Sequence, residues 1–201
     1  MASFNVTKGN KFSIVKTITS VTVGCGWDVS AKPGETFDLD EHAFACVSDN
    51  GVPRLYNDGS HAVTYANQDL VKGANKSFAT ADGSMQHMGD NRTGKGEGDD
   101  EQITLALSRI PAEVTEILIF VTIYEARVRR QDFSRVSNAF VRVVDNDTQR
   151  ELCRYDLQAE FNGCITVQVG SLMRESAGWT FKAVGAGFKT EELGEILEKL
   201  S

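Results

Sequence analysis

The chain has 201 residues and a formal net charge of −7, with 28 acidic against 21 basic side chains. A surplus of acid disfavours nonspecific binding to nucleic acid or to an anionic membrane, neither of which meets a basic surface here. The N-terminal residues Met1-Ala2-Ser3-Phe4-Asn5 lack the basic region and apolar run of a secretory leader, and no apolar stretch approaches membrane-spanning length, so a cytoplasmic protein that does not insert into membranes is expected.

In chain order, residues 12–15, 20–23, 36–47, 62–65 and 103–107 carry alternating or β-branched character and are separated by Gly, Asn, Asp and Pro, which predicts strands. Residues 116–124 are denser: the run Ile117-Leu118-Ile119-Phe120-Val121-Thr122-Ile123 predicts a central strand buried on both faces. The basic cluster that follows, Arg127, Arg129, Arg130 and Arg135, reads as a solvated loop. Residues 139–144, 151–157, 164–169 and 179–184 continue the strand rhythm, and only residues 190–200 have clear helical periodicity. There Leu193, Ile196, Leu197 and Leu200 form one stripe, Thr190 is placed to cap, and Glu191 and Glu192 stand in the first turn where the helix dipole favours them. The pattern predicts an all-β, two-sheet sandwich in one domain over residues 1–201, with a short C-terminal helix packed against it. Cys25, Cys46, Cys153 and Cys164 show no paired spacing and read as reduced, mostly buried thiols.

Between Gly89 and Glu101 the chain places five carboxylates and four glycines in thirteen residues, closing with Gly98-Asp99-Asp100-Glu101. Carboxylates so close repel one another unless an ion or several N–H groups compensate them, and the glycines permit the sharp turns that aim oxygens at one point. Upstream, Asp38 and Asp40 share one face of a predicted strand while Leu39 turns to the other. Hard oxygen donors without clustered Cys or His point to calcium or magnesium rather than zinc or copper. The segment is not an EF-hand, because Arg92 and Gly94 occupy the third and fifth positions counted from Asp90, where that loop needs oxygen ligands.

Taken in order, Gly24-Cys25-Gly26-Trp27-Asp28, Phe37-Asp38-Leu39-Asp40, Asp82-Gly83-Ser84, Gly89-Asp90-Asn91 and Gly98-Asp99-Asp100-Glu101 resemble the TerD family of tellurium-resistance and stress-response proteins. Asn138-Ala139-Phe140-Val141-Arg142 and Trp179-Thr180-Phe181-Lys182-Ala183-Val184-Gly185 extend the resemblance over nearly the whole chain, although residues 68–75 and 127–135 do not match clearly. The resemblance implies a calcium-binding β-sandwich without established catalytic activity, acting in resistance to tellurite, phage or other stress, with other proteins of the same system as partners. On this reading Asp38, Asp40, Asp90, Asn91, Asp99, Asp100 and Glu101 are the expected ligands, with Asp28 and Asp82 nearby as ligands or supporting groups. Trp27 is a core anchor beside them, and Glu97 points to solvent. Nine donors exceed the roughly 6–8 oxygens one calcium takes, so two adjacent Ca2+ ions are expected. The rival reading is a divalent-metal-dependent phosphoesterase, since an ion on clustered aspartates can activate water. It lacks helpers: His42, His61 and His87 stand singly, and there is no nucleophile elbow or phosphate-cradling loop.

Overall fold

Alternation along the strands sorts side chains by face, and the faces that exclude water decide how the sheets stack. The computed structural model describes residues 4–66, 78–96, 98–157, 161–190 and 192–200, with side chains as far as Glu198 in the last segment. One sheet runs, in spatial order, through β1 (Phe4–Asn5), β12 (Arg150–Asp156), β11 (Phe140–Asp145), β3 (Val21–Gly26), β9 (Glu101–Leu105), β8 (Met85–His87) and β7 (Phe78–Ala79). The other runs through β2 (Lys11–Val15), β14 (Gly178–Phe188), β13 (Thr166–Glu175), β10 (Glu116–Ile123), β4 (Leu39–Asp49) and β5 (Val52–Leu55), with β6 (Ala62–Val63) also paired to β4. Pairing is antiparallel except between β1 and β12. The result is a β-sandwich.

Its main core lies between the sheets. Val21, Val23 and Cys25 of β3, with Ile103 and Leu105 of β9, face Leu39, Ala43 and Ala45 of β4 and Ile117, Ile119, Val121 and Ile123 of β10. The opposite face of the second sheet is buried as well. Phe44, Cys46, Leu118 and Phe120 form a second apolar cluster with Ile196, Leu193 and Leu197 of α2 (Leu193–Leu200). The helix therefore accounts for the unbroken apolar run of β10, which needs partners on both sides. Thr190 accepts the Glu192 N–H through its hydroxyl, at 3.1 Å, just ahead of this helix. Glu191 and the side chain of Leu200 lie outside the described residues.

Some boundaries differ from the sequence expectation. β13 continues to Glu175, past a shift of register between Gln168 and Gly170, where Gly170 faces Ala183; a Cβ on Gly170 would come within 2.6 Å of the Lys182 carbonyl. β5, β7 and β8 are too short to announce themselves, and β6 ends at Val63. The basic stretch is not a solvated loop. It contains α1 (Ala126–Arg129) and a 3-10 turn at Phe133–Arg135, with Ala126 and Phe133 buried. Three of its four arginines make specific contacts: Arg127 donates to the Lys189 carbonyl, Arg129 pairs with Glu125, and Arg135 pairs with Glu35. Residues 68–75, where the family pattern could not be followed, lie outside the described residues. All four cysteines are free thiols, and burial pushes Cys46 and Cys153 up to about 12, which keeps them protonated and poorly nucleophilic at neutral pH.

Phe120 is fully buried beneath α2, with ring centroids 5.9 Å from Phe44 and 6.4 Å from Phe188. Replacing it with Ala is expected to cost about 3–5 kcal/mol in denaturant unfolding. A loss below about 1 kcal/mol would show that α2 contributes little to the native state.

Candidate metal centre

Two elements bring the acidic groups together. β4 starts at Leu39, so Asp38 lies just before the strand and Asp40 at its second position, on the face away from the inter-sheet core. Residues 88–100 connect β8 to β9 and carry Asp90, and Glu101 is the first residue of β9. Carboxylate oxygens of Asp38, Asp40 and Asp90 lie within 4.8 Å of one another. Glu101, 1% exposed, accepts the Glu41 N–H at 2.7 Å and stands 3.6 Å from His87 Nε2.

The connecting loop is shaped by its own polar groups. Asn91 Oδ1 accepts from the Thr93 N–H and hydroxyl, while Asn91 Nδ2 donates to the Lys95 carbonyl and to Asp100 Oδ1, the latter at 2.7 Å. Asp100 Oδ2 accepts the Trp27 N–H at 2.9 Å, and the Asp100 N–H donates to the Cys25 carbonyl. Trp27 is buried, and its indole N–H donates to the Phe37 carbonyl, tying this loop to the approach to β4. Gly94, with φ +64°, passes so close that a Cβ would lie 2.5 Å from Trp27 Nε1. Both the left-handed backbone and the close approach require glycine.

The electrostatics are unbalanced. Arg92 pairs with Asp90 Oδ2 at 2.7 Å, and Arg129 stands 3.9 Å from Asp38 Oδ2. Yet Asp38 Oδ1, Asp40 Oδ2, Asp90 Oδ1 and Glu101 Oε1 are buried without a hydrogen-bond partner among the described residues. Burial, reinforced by Asp90 and only partly offset by Arg129 and Arg92, raises Asp38 to about 6. Burial, then Glu101, Asp38 and Asp90, raises Asp40 to about 9. Glu101 is also pushed well above its ordinary value, by burial first, against the opposing hydrogen bond from Glu41 N–H. Native proteins seldom leave several buried oxygens unsatisfied side by side. The donor set is all oxygen and strongly anionic, which fits a hard divalent cation.

Of the other expected site residues, Asn91 and Asp100 shape the loop as described. Asp99 turns toward the first sheet, where Arg142 holds it in a fork, Nε to Oδ1 at 2.6 Å and Nη2 to Oδ2 at 3.1 Å. Asp28 accepts from Asn138 Nδ2 at 2.6 Å. Asp82 organises the turn between β7 and β8, accepting from the Thr80 hydroxyl and from the Ser84 N–H and hydroxyl, with His61 Nε2 at 2.9 Å from its Oδ2. Burial opposes its ionisation, but these hydrogen bonds prevail and hold its pKa well below the usual carboxylate range. Neither Asp28 nor Asp82 belongs to the converging group of acids. Glu97 lies outside the described residues.

Sequence reasoning missed two groups. His87 is fully buried, with the Gly89 N–H donating to its Nδ1, so Nε2 carries the proton that faces Glu101; burial lowers its pKa to about 4. Glu41 is fully buried, and burial, then Glu101 and Asp99, pushes its pKa well up against the opposing Ile103 N–H. A signal existed for Glu41: it shares strand parity with Leu39, Ala43 and Ala45, so alternation sends its carboxyl inward.

The TerD domain profile matches residues 1–200. The chain is 40% identical over 189 residues to tellurium resistance protein TerD of Serratia marcescens, an alignment covering 92% of this chain and 91% of that one. It is 37% identical over 197 residues to general stress protein 16U of Bacillus subtilis (strain 168), covering 93% and 92%. The crystal structure of a homologue of telluride resistance protein (TerD) from Streptomyces coelicolor A3(2) superposes with a TM-score of 0.67 at 25% identity, covering 91% of this chain and 98% of that one.

Without a bound cation, the raised carboxylates make the native state hold more protons than the unfolded chain, whose aspartates titrate near ~3.9. Stability of metal-free protein is therefore expected to fall as pH rises from about 4, through about 6 for Asp38 and on to about 9 for Asp40. Thermal melts in chelator across that range measure it, and a melting temperature that climbs with pH would contradict this picture of the cluster.

Proposed function

Since the chain belongs to the TerD family of tellurium-resistance and stress proteins, we propose that it is a cytoplasmic calcium-binding module that acts by binding rather than by catalysis. The observation that carries the proposal is the set of buried oxygens on Asp38, Asp40, Asp90 and Glu101 without a hydrogen-bond partner among the described residues. A divalent ion bound there would supply the positive charge the cluster lacks. Calcium suits the site better than magnesium because it accepts an irregular shell of carboxylates and carbonyls, whereas magnesium demands near-octahedral geometry and gives up its waters reluctantly.

A second, weaker seat for an ion is the open cleft beside this centre, about 380 Å3, lined by Asp90, Asn91, Asp99, Asp100 and Gln102. Its weakness follows from competition: Arg142 already holds Asp99, and Trp27 and Asn91 already donate to Asp100. The binding reading is supported against a phosphoesterase by the histidines. His61 is paired with Asp82 and His87 is buried against Glu101, while His42, held by Thr122 through Nε2, lines the neighbouring cavity. A folded module whose charge changes on taking up calcium can dock to other proteins of a stress-resistance system, and that is the role we assign it.

Calorimetric titration of metal-free protein should give a tight calcium step and a weaker one. Asp40→Asn is expected to weaken the tight step roughly tenfold or more, Asp100→Asn to affect chiefly the weak step, and Glu97→Gln or Asp82→Asn to change neither greatly. Equal losses in all four variants would mean that net charge alone attracts the ion. Calcium at about 100 times its dissociation constant should also stabilise the fold by about 2.7 kcal/mol relative to chelator, and superimposable melting curves would overturn the proposal.

A further inference from the structure

On the outer face of the second sheet, between β4, β10 and the start of α2, lies a cavity of about 380 Å3 that the cation-binding reading does not use. Its apolar wall comes from Phe44, Leu193 and Leu197, and its aromatic rim from Tyr65 and Tyr124, whose rings meet edge to face at 5.9 Å. Asp40 is the wall it shares with the metal centre. This volume and mixture of apolar surface with a few polar groups are those of a small-molecule site.

The polar groups have a common character. His42, in the lining, is fully buried; its Nε2 is 2.9 Å from the Thr122 hydroxyl, and its Nδ1 has no hydrogen-bond partner among the described residues. In the tautomer that places the proton on Nε2, donating to Thr122, Nδ1 is a buried acceptor that calls for an N–H or O–H from a ligand. Glu192 adds a carboxylate at the edge, Glu125 there is already paired with Arg129 at 3.3 Å, and no lysine or arginine is among the described residues of the lining. The same corner already holds one cation against an aromatic face: the Arg129 guanidinium carbon sits 5.2 Å from the centre of the Tyr124 ring.

We propose that this cavity binds a small organic cation, an ammonium on an apolar or aromatic body. Its N–H groups would donate to His42 Nδ1, its charge would be met by Glu192 and the Tyr65 ring, and its body would lie against Phe44, Leu193 and Leu197. An anionic ligand of the same length is rejected by the acidic edge. Because Asp40 borders both sites, a bound calcium and the organic cation sense each other's charge, but neither needs the other in order to bind.

The test uses the full chain, with phenethylammonium and 3-phenylpropionate as probes of similar length and opposite charge, followed by calorimetry or NMR titration in calcium and in chelator. Saturable one-to-one binding of phenethylammonium is expected in both conditions, with phenylpropionate at least roughly tenfold weaker. His42→Phe should weaken phenethylammonium roughly tenfold or more, and Glu192→Gln, at the surface, about two- to fivefold. Should His42→Phe fail to fold, Glu192→Gln still decides. No saturable binding of phenethylammonium, equal binding of the two probes, or indifference to Glu192→Gln would each overturn the proposal. Binding of phenethylammonium in chelator by protein that takes up no calcium would leave this site standing while removing the metal centre.

Discussion

The repulsion among carboxylates buried around the start of β4 and the start of β9 is the constraint on which the rest of this structure turns. Asp38, Asp40, Asp90 and Glu101 each retain a buried oxygen without a partner among the described residues, and the two arginines nearby reach only Asp90 and the edge of Asp38. Burying such groups costs several kcal/mol each unless charge is returned to them. The sandwich can hold them only because its remaining contacts over-determine their positions. Glu101 is fixed by pairing with Cys25 on β3, Asp40 by pairing with Thr122 on β10, and Asp90 by a loop tied to Trp27.

The tethering of that loop separates acids that keep an unpartnered oxygen from acids whose oxygens are matched by donors. Asp100 and Asn91 spend hydrogen bonds on each other and on Trp27, while Asp99 is matched by Arg142. Close approach reinforces the arrangement. A Cβ on Gly24 would stand 2.3 Å from Asp99 Oδ2, so β3 is held bare where the acidic loop crosses it. The Gly-Asp-Asp-Glu block is thus divided by strand geometry: Asp99 serves the first sheet, Asp100 the loop, and Glu101 the cluster.

The second sheet gains a different property from α2. Covering β4 and β10 with the helix buries Phe44, Leu118 and Phe120, but the covering ends near Tyr65 and Tyr124, leaving a cavity that has Asp40 in one wall and His42 in its lining. Alternation along β4 sends Asp40, His42 and Phe44 to this side and Leu39, Glu41 and Ala43 to the inter-sheet core. One strand therefore supplies a carboxylate of the converging acidic cluster, a buried acid and a cavity-lining histidine in three consecutive residues.

By itself the sequence determined the class of fold, the two-sided burial of β10, the C-terminal helix and the acidic loop, because each depends on local periodicity or on composition within a short window. Asp38 and Asp40 could be paired from alternation alone, and they do converge with Asp90. Tertiary structure alone decided which acids share a centre. Asp28 and Asp82 look like their neighbours in sequence, yet Asn138 satisfies one while Thr80, Ser84 and His61 satisfy the other, through partners as many as 110 positions away. The basic stretch from Arg127 to Arg135 became part of the fold for the same reason, since its counter-charge Glu35 and the Lys189 carbonyl come from distant segments. A carboxylate's role depends on whether a donor reaches it in the folded chain, and that is a property of packing rather than of the residues beside it.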